Sequence, residues 1–411
     1  MRFVVTLLVL AFTVHFACRG EVSTNVNAKY TVESVEVIPS GALSSMLRKD
    51  IQSMVGGKLD PALLNEISSR IRREAGARMV IHRITRGTQP YHVRVVFEII
   101  RKKDFELAVP KLAYHSKQGW SGAIDLTVRA GNNTMSVGAV NDNDEFVEHL
   151  TGWRGRYERT NFPNDRASLR VDFESYHQQW TAATLNAFGE IPVGNSQVSG
   201  IYRWRNHVQP SVSIRLSRPL TLTSGISFQY FQTQFPAART ESSNALVNTL
   251  RYQETWEGSD TSQSLDAGYS LHAAYPALGG DYGYTRHSIT ANYELKRGRS
   301  AFQANALAGS LSGRAPLYER FVLGNSSTLR GWNKYDIQPL GGSRVAYASA
   351  EYRYRMFHAF YDAGALWNRG QDGDVKQALG CGVHTGALYF SIAFPLRDGR
   401  MTPVFLMAMN Y

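Results

Sequence analysis

From Phe105 to its last residue, the chain alternates between apolar and polar side chains. A period of two places successive side chains on opposite faces of a β-strand, and no convincing helical stripe interrupts it. The polar positions include many full charges, more than the core-facing side of a sheet would carry. This pattern predicts an all-β architecture for about three quarters of the chain. Representative alternating segments are 167–174, 211–217, 265–272 and 288–296.

Two architectures share this periodicity. In a soluble β protein the apolar face packs into a core, whereas in a membrane barrel it faces lipid and the polar face lines the lumen. We interpret the alternating segments, of which these stretches are parts, as about ten residues or longer, the length that a tilted strand needs to cross a bilayer, whereas soluble strands are typically about 5–6 residues long. The last strand also alternates to a terminal aromatic residue, through Phe405, Met407, Met409 and Tyr411. We therefore expect a transmembrane antiparallel β-barrel in residues 104–411, with a soluble β protein as the alternative. Roughly 19 residues for each strand and its turn give about sixteen strands.

The N-terminal residues predict export followed by a small domain. Met1-Arg2 and an uncharged run to Ala17 match a secretory signal peptide over residues 1–20, with lipidation of Cys18 disfavoured by its neighbours, and residues 21–28 read as a linker. Residues 29–103 then give a strand, two amphipathic helices (Leu43 to Val55, and Asp60-Pro61 to Glu74) and two strands. This β-α-α-β-β unit carries fourteen Lys and Arg against seven Asp and Glu, much of the net charge of +11. A solvated basic surface is one reading of that charge, and binding to anionic headgroups or an acidic partner is the other.

A long segment without strand periodicity, residues 313–343, interrupts the barrel pattern. Loops beyond about 12–15 residues are uncommon in compact domains unless they are functional or disordered. This one is too apolar for a solvated tail, and it contains Leu329-Arg330-Gly331-Trp332 at its centre. We expect it to fold back into the barrel.

Together these features resemble the BamA, TamA and FhaC superfamily of outer-membrane barrels, also called bacterial surface antigens. The small unit is similar to a POTRA domain, and the loop motif matches the family pattern of branched apolar residue, Arg, Gly and aromatic residue at all four positions. Flanking segments also fit, namely Phe321-Val322-Leu323-Gly324, Pro339-Leu340-Gly341-Gly342, and a first strand from Val109-Pro110 through Tyr114 to Gly119-Trp120. The resemblance covers essentially the whole mature chain.

The resemblance implies that the loop enters the lumen and that its arginine pairs with carboxylates on the following strands. Strand parity supplies two candidates independently, because Glu351 and Asp362 both occupy polar, lumen-facing positions. Arg330 held between Glu351 and Asp362 would lock the loop in place and would perform no chemistry. The alternative is a solvated loop arginine, with both carboxylates facing lumen water.

Family members insert other barrels into the outer membrane or export a partner protein through the lumen. Insertion depends on a weak seam between the first and last strands, here expected near residues 107–115 and 403–411. The candidate seam residues are Val109, Pro110, Tyr114, Phe405, Met407, Met409 and Tyr411. Pro110 has no N–H to donate to the ladder, which weakens this edge. The sequence shows one POTRA-like unit where the insertases carry several, and little room before Lys29 for the plug helix of the secretion transporters. We expect insertion or assembly of outer-membrane proteins as the function, with protein export as the first alternative and a porin-like channel as the second.

No pattern for catalysis, metal binding or a phosphate-cradling loop is evident, so we expect no cofactor and no enzyme activity, with an outer-membrane hydrolase as a remote alternative. The sequence Tyr176-His177-Gln178-Gln179-Trp180 reads as an aromatic belt at the membrane interface. The expected partners are outer-membrane lipids, unfolded outer-membrane or exported proteins, and periplasmic proteins that bind the POTRA-like unit, but no nucleic acid. The expected location is the outer membrane of a diderm bacterium, with the POTRA-like unit in the periplasm.

Overall fold

The computed structural model describes residue 27 and residues 29–39, 43–100, 103–190, 200–235, 238–258, 260–397 and 402–409. The expected signal peptide and Tyr411 lie outside the described residues, as does nearly all of the linker. Among the helices that are described, none has the length and apolar character needed to cross a membrane.

The N-terminal part is a three-stranded sheet covered by two helices, as predicted. Its elements are β1 (Thr31–Ile38), α1 (Ser45–Gln52), α2 (Pro61–Glu74), β2 (Met79–Arg86) and β3 (His92–Ile100). The strand order is β1-β3-β2, with β1 parallel and β2 antiparallel to β3. Helix α2 begins where the sequence predicted, because the Asp60 carboxylate accepts a hydrogen bond from the Ala62 amide at 2.9 Å and Pro61 takes the first position.

Helix α1 is shorter than the predicted Leu43 to Val55. The Ser44 hydroxyl accepts from the Leu47 amide and so caps the helix two residues late, and the chain leaves the helix at Ser53. The residues between Ser53 and Gly56 form turns, and Gly56 has a φ of +82°. The apolar residues of both helices and of the sheet form one small core, with Leu64, Ile71 and Phe97 fully buried.

The rest of the chain closes into a barrel of sixteen strands, all antiparallel to their neighbours. Both the closure and the strand number agree with the sequence prediction. The strands are β4 (Phe105–His115), β5 (Gly119–Ala130), β6 (Asn133–Asp142), β7 (His149–Thr160), β8 (Ala167–Gln179), β9 (Ile201–Arg215), β10 (Leu220–Phe235), β11 (Arg239–Glu257), β12 (Thr261–Ala274), β13 (Gly283–Arg297), β14 (Ser300–Arg314), β15 (Arg344–Tyr354), β16 (Phe357–Trp367), β17 (Lys376–His384), β18 (Leu388–Leu396) and β19 (Val404–Met409). Two further short helices lie in the connections, α3 (Ala182–Gly189) and α4 (Lys334–Ile337).

The two ends of the barrel differ. At one end, here called the turn end, the strands are joined by short connections such as 131–132, 216–219, 298–299 and 355–356. At the other, the loop end, lie the connections that contain α3 and α4. The small sheet unit contacts the turn end, where Asp50 pairs with Arg218 and Glu74 pairs with Arg215 at 3.1 Å.

Side chains alternate across the barrel wall, with apolar residues facing outward and polar residues facing the lumen, the reverse of a soluble protein. Outward residues such as Ile289 and Tyr269 are exposed and apolar. Inward positions carry ion pairs, including Arg154 with Asp125 at 2.8 Å. This arrangement is that of a membrane barrel, in which lipid solvates the apolar face.

The lumen at the loop end is packed, although alternation alone predicts only a polar face on the lumen side. Large side chains from the wall and from the 315–343 loop form one buried cluster there. Its members include Tyr202, Phe231, Tyr282, Leu317, Leu323, Leu329 and Trp332. Inward-facing aromatic residues on long strands thus give this end of the barrel a core of its own.

Candidate functional site

Arg330 lies in the lumen, on the loop between β14 and β15, and is 7% exposed. Its Nε and Nη2 atoms donate to the two oxygens of Asp362 at 3.0 Å each, and its Nη1 donates to Glu351 at 2.6 Å. Nη1 and Nη2 also donate to the hydroxyls of Tyr389 (2.8 Å) and Ser349 (3.1 Å). The two carboxylates predicted from strand parity are therefore the two that the arginine contacts.

The walls of this site come from neighbouring strands of the barrel. Ser349 and Glu351 lie on β15 and Asp362 on β16, where Ser349 and Asp362 face each other in register. Asp362 is fully buried and also accepts the backbone N–H of Arg330 at 2.8 Å. The guanidinium carbon lies 3.5 Å from the centre of the Phe360 ring, a cation–π geometry. Burial by itself lowers the pKa of Arg330, but the hydrogen bonds and charge of Asp362 raise it on balance. The arginine is thus a fixed, permanently charged anchor.

The residues around Arg330 explain the rest of the motif. Gly331 has a φ of +103°, and a Cβ there would lie 3.1 Å from the Cβ of Ala378 and 3.2 Å from that of Ala393. Backbone of this hand, so close to the wall, favours glycine. Leu329 is fully buried, and the Trp332 indole N–H donates to the Gln377 carbonyl at 2.8 Å. Each motif residue therefore has its own contact with the lumen wall.

A second anchor, not found by sequence reasoning, holds the same loop. The Lys334 side chain is 2% exposed, and its ammonium donates to the carbonyls of Asn143, Asp144 and Phe146 in the β6–β7 loop. Burial lowers the pKa of Lys334 to about 8. The Asp144 carboxylate in turn accepts from the Ser326 amide at 2.8 Å. Only the apolar character of residues 321–337 hinted at this burial, because a lysine in a loop normally reads as solvated.

The seam between the first and last barrel strands is short. Among the described residues, which end at Met409, strand β4 pairs with β19 over four residues, Leu112 to His115, opposite Met409 to Leu406. Every other pair of neighbouring barrel strands has between six and fifteen residues in register. Among the described residues, the stretch from Phe105 to Lys111 has no partner on β19.

The predicted seam residues fall on both sides of this boundary. Tyr114 faces Met407 in register, Met409 faces Leu112, and the Phe405 carbonyl accepts from the Ser116 amide at 3.0 Å. Val109 and Pro110 precede the paired residues on β4, toward the turn end. There the register with β5 shifts between Ala108 and Lys111, a bulge that accommodates the proline.

The loop contacts the seam directly. The Gln118 side-chain amide, in the turn after β4, donates to the Gly324 carbonyl at 2.7 Å. On the other side, Tyr389 lies on β18, in register with Ala408 of β19, and binds Arg330. The loop is therefore hydrogen-bonded on both sides of the seam, to the β4–β5 turn and to strand β18.

The cluster from Tyr176 to Trp180 is only partly the outward-facing belt that its composition predicted. Tyr176 and Gln178 point inward and are 6% and 4% exposed, while His177 and Gln179 point outward. The Trp180 indole donates to the Tyr202 carbonyl at 2.7 Å and packs against the lumen core. The prediction treated the five residues as one cluster, whereas the period of two places neighbouring residues of a strand on opposite faces of the wall.

Comparison with known proteins places this fold in a family. Residues 156–397, more than half of the chain, match the model of the Omp85 superfamily domain. A stretch of 137 residues is 28% identical to the outer membrane protein assembly factor BamA of Nitratidesulfovibrio vulgaris, covering 28% of this chain and 17% of that protein. The match therefore spans about a sixth of the relative's length.

Two solved structures share the overall fold. BamA from Haemophilus ducreyi lacking POTRA domains 1–3 superposes with a TM-score of 0.58 at 14% identity, covering 93% of this chain and 84% of that one. CdiB from Acinetobacter baumannii gives 0.58 at 14% identity, covering 93% and 74%. The chain is an outer-membrane β-barrel protein that belongs to the Omp85 superfamily.

Proposed function

We propose that this chain assists the folding and insertion of other outer-membrane proteins, and that the β4–β19 seam is the site at which it acts. The observation that carries the proposal is the pairing of four described residues at the seam, whereas each other pair of neighbouring barrel strands has at least six described residues in register. A net contribution of about 0.5–1.5 kcal/mol for each hydrogen bond makes this the weakest junction of the wall.

The unpaired part of β4 offers a template. Between Phe105 and Lys111 the strand is bonded to β5 on one side, and its other edge has no β19 partner among the described residues. The Phe105 and Leu107 side chains on this stretch are 62% and 65% exposed. A free strand edge with apolar outward side chains recruits an incoming strand by β-augmentation.

The small sheet unit is suited to meet the substrate first. Because β3 lies in the middle of the β1-β3-β2 sheet, β2 pairs with a strand on one side only among the described residues. The unit contacts the turn end of the barrel, which we assign to the periplasmic side because short turns typify that side. The proposed partners are thus unfolded outer-membrane proteins, surrounding lipids and periplasmic proteins that bind this unit.

Export of a polypeptide through the lumen is the competing function. It requires the 315–343 loop to leave a lumen in which Arg330, Lys334 and Trp332 are each bonded to the wall or to another loop. Lateral opening at the seam needs no such emptying of the lumen. This difference decides the design of the test.

The test uses a disulfide across the seam. Ala113 and Ala408 face each other in register and can both be replaced by cysteine, with Cys18 and Cys381 changed to serine. In proteoliposomes, the oxidised variant should accelerate folding of an unfolded barrel protein no more than empty vesicles do, and reductant should restore the rate.

The matched control places the same change away from the seam. Ala348 and Ala363 face each other on β15 and β16, so an oxidised Ala348→Cys, Ala363→Cys variant should retain full activity. Full activity of the oxidised seam variant would refute lateral insertion. Undiminished translocation of a partner polypeptide by that variant would instead support export.

A further inference from the structure

The outer wall of the barrel carries a recess on strands β7, β8 and β9. It is about 340 Å³ in volume, and Gly152 and Tyr176 are among the residues that line it. Six outward side chains surround it, namely Thr151, Trp153, Ser175, His177, Trp204 and Asn206. The assembly proposal makes no use of this feature.

The strand register places the recess at the border of the apolar belt. On the side of the recess toward the turn end, the outward positions of β8 and β9 are apolar, from Phe173 and Val208 to Ile214. At Ser175 and Asn206, which face each other, the outward side chains become polar. Since the outer wall of a membrane barrel faces lipid, a polar recess at this height lies at headgroup depth, in the leaflet at the loop end.

Two indole rings form the sides of the recess and are held in place. Trp153 packs against Phe173 with ring centres 4.7 Å apart, and the Trp204 N–H donates to Gln232 at 2.9 Å. The two tryptophans stand two strands apart and are offset by two residues along β8, because Trp153 faces Ser175 and Trp204 faces His177, so their backbones are about 10–12 Å apart. A hexose ring can lie between two such aromatic faces.

Hydrogen-bonding side chains line the space between the rings. The Ser175 hydroxyl donates to the Asn206 side-chain oxygen at 2.8 Å, which turns the amide N–H₂ of Asn206 toward other acceptors. Thr151 and His177 add a hydroxyl and an imidazole. None of the lining side chains is a lysine, arginine, aspartate or glutamate. This chemistry suits sugar hydroxyls better than a phosphate, which calls for cationic donors.

We propose that this recess binds the saccharide headgroup of a glycolipid in the leaflet at the loop end. The acyl chains of such a lipid would run down the apolar wall below Phe173 and Val208. Binding here would fix one lipid against β7–β9, on a part of the wall well away from the β4–β19 seam.

The test measures lipid binding by native mass spectrometry of the full chain in detergent micelles. The probes are a diglucosyl diacylglycerol, a phosphatidylethanolamine with the same acyl chains, and the free disaccharide. The wild type should bind one glycolipid at least tenfold more tightly than either other probe. A Trp153→Ala, Asn206→Ala variant should lose about tenfold in glycolipid affinity and keep its weak phosphatidylethanolamine binding.

A matched control variant changes an outward histidine elsewhere. His287 on β13 faces outward and contacts the Tyr269 hydroxyl at 2.8 Å, so His287→Ala should bind glycolipid like the wild type. If the double variant does not fold, Asn206→Leu, similar in volume, tests the same hydrogen bonds and should weaken glycolipid binding several-fold. Equal wild-type affinity for both lipids, an unchanged affinity of the folded variant, or equally tight binding of the free disaccharide would each overturn the proposal.

Discussion

Replacing Arg330 by alanine should release the lumen loop while leaving the barrel closed. The side chain supplies the loop with five hydrogen bonds to Asp362, Glu351, Tyr389 and Ser349. The barrel strands themselves depend on backbone pairing that does not involve Arg330. The substitution therefore acts on docking of the loop and not on closure of the wall.

The size of the effect follows from burial. Asp362 is fully buried and Glu351 is 8% exposed, so removing the guanidinium leaves two carboxylates with little water to solvate them. Breaking a buried pair in this way costs about 3–5 kcal/mol, which raises the population of the open loop by roughly two to four orders of magnitude. Arg330→Lys keeps the charge but loses the two-pronged contact with Asp362, so its loop should open to an intermediate extent.

Hydrogen exchange of the backbone amide at residue 330, followed by mass spectrometry of peptides from 324–332, measures this population. In the wild type this amide donates to Asp362 at 2.8 Å. Exchange of this amide should be slowest in the wild type, faster in Arg330→Lys and fastest in Arg330→Ala. Arg344→Ala, at an exposed arginine near the end of the same loop, serves as the control and should match the wild type. Equal protection in Arg330→Ala and the wild type would refute the lock.

Two further predictions concern the other contacts of the loop and of the small sheet unit. Lys334→Met should leave three carbonyls of the β6–β7 loop without their donor and raise proteolysis of residues 143–148 by about tenfold, and an unchanged cleavage rate would contradict this second anchor. Asp50→Asn should loosen the small unit from the turn end, seen as broader distance distributions between spin labels on the two parts. Because Arg218 is 52% exposed, the free energy lost should stay below about 1 kcal/mol, and high salt should broaden the distances in the wild type to the same extent. Distance distributions that change neither with the substitution nor with salt would contradict this contact.

The fold was predictable because its determinants are periodic. Alternation fixes which side chains face lipid, and it also places Glu351 and Asp362 on the lumen side. The start of α2 followed from Asp60-Pro61 for an equally local reason. Such features depend on residues that are close together in the sequence, so a single sequence is enough to predict them.

The contacts that pattern reading missed join residues distant in sequence. Lys334 donates to carbonyls about 190 positions earlier in the chain. Every residue has a backbone carbonyl, so residue types do not show which carbonyls accept a hydrogen bond. The packed lumen depends on aromatic residues at inward positions such as Tyr202 and Phe231, where parity alone predicts water-facing side chains. The short seam depends on register, and Pro110 indicated only a weak edge.

The position of the loop links the lock to the seam. Gln118, beside the first strand, donates to the Gly324 carbonyl, while Arg330 binds Tyr389 on the strand next to the last. If the seam opens as proposed, β4 and β18 separate, and the loop cannot keep both contacts. Releasing the Arg330 side would cost roughly 3–5 kcal/mol, whereas the Gln118 contact is a single hydrogen bond of about 0.5–1.5 kcal/mol, so the Gln118 contact should break first and add a little to the resistance of the four register pairs. Release of the Gln118 contact should therefore accompany seam opening, and a closed seam should preserve it.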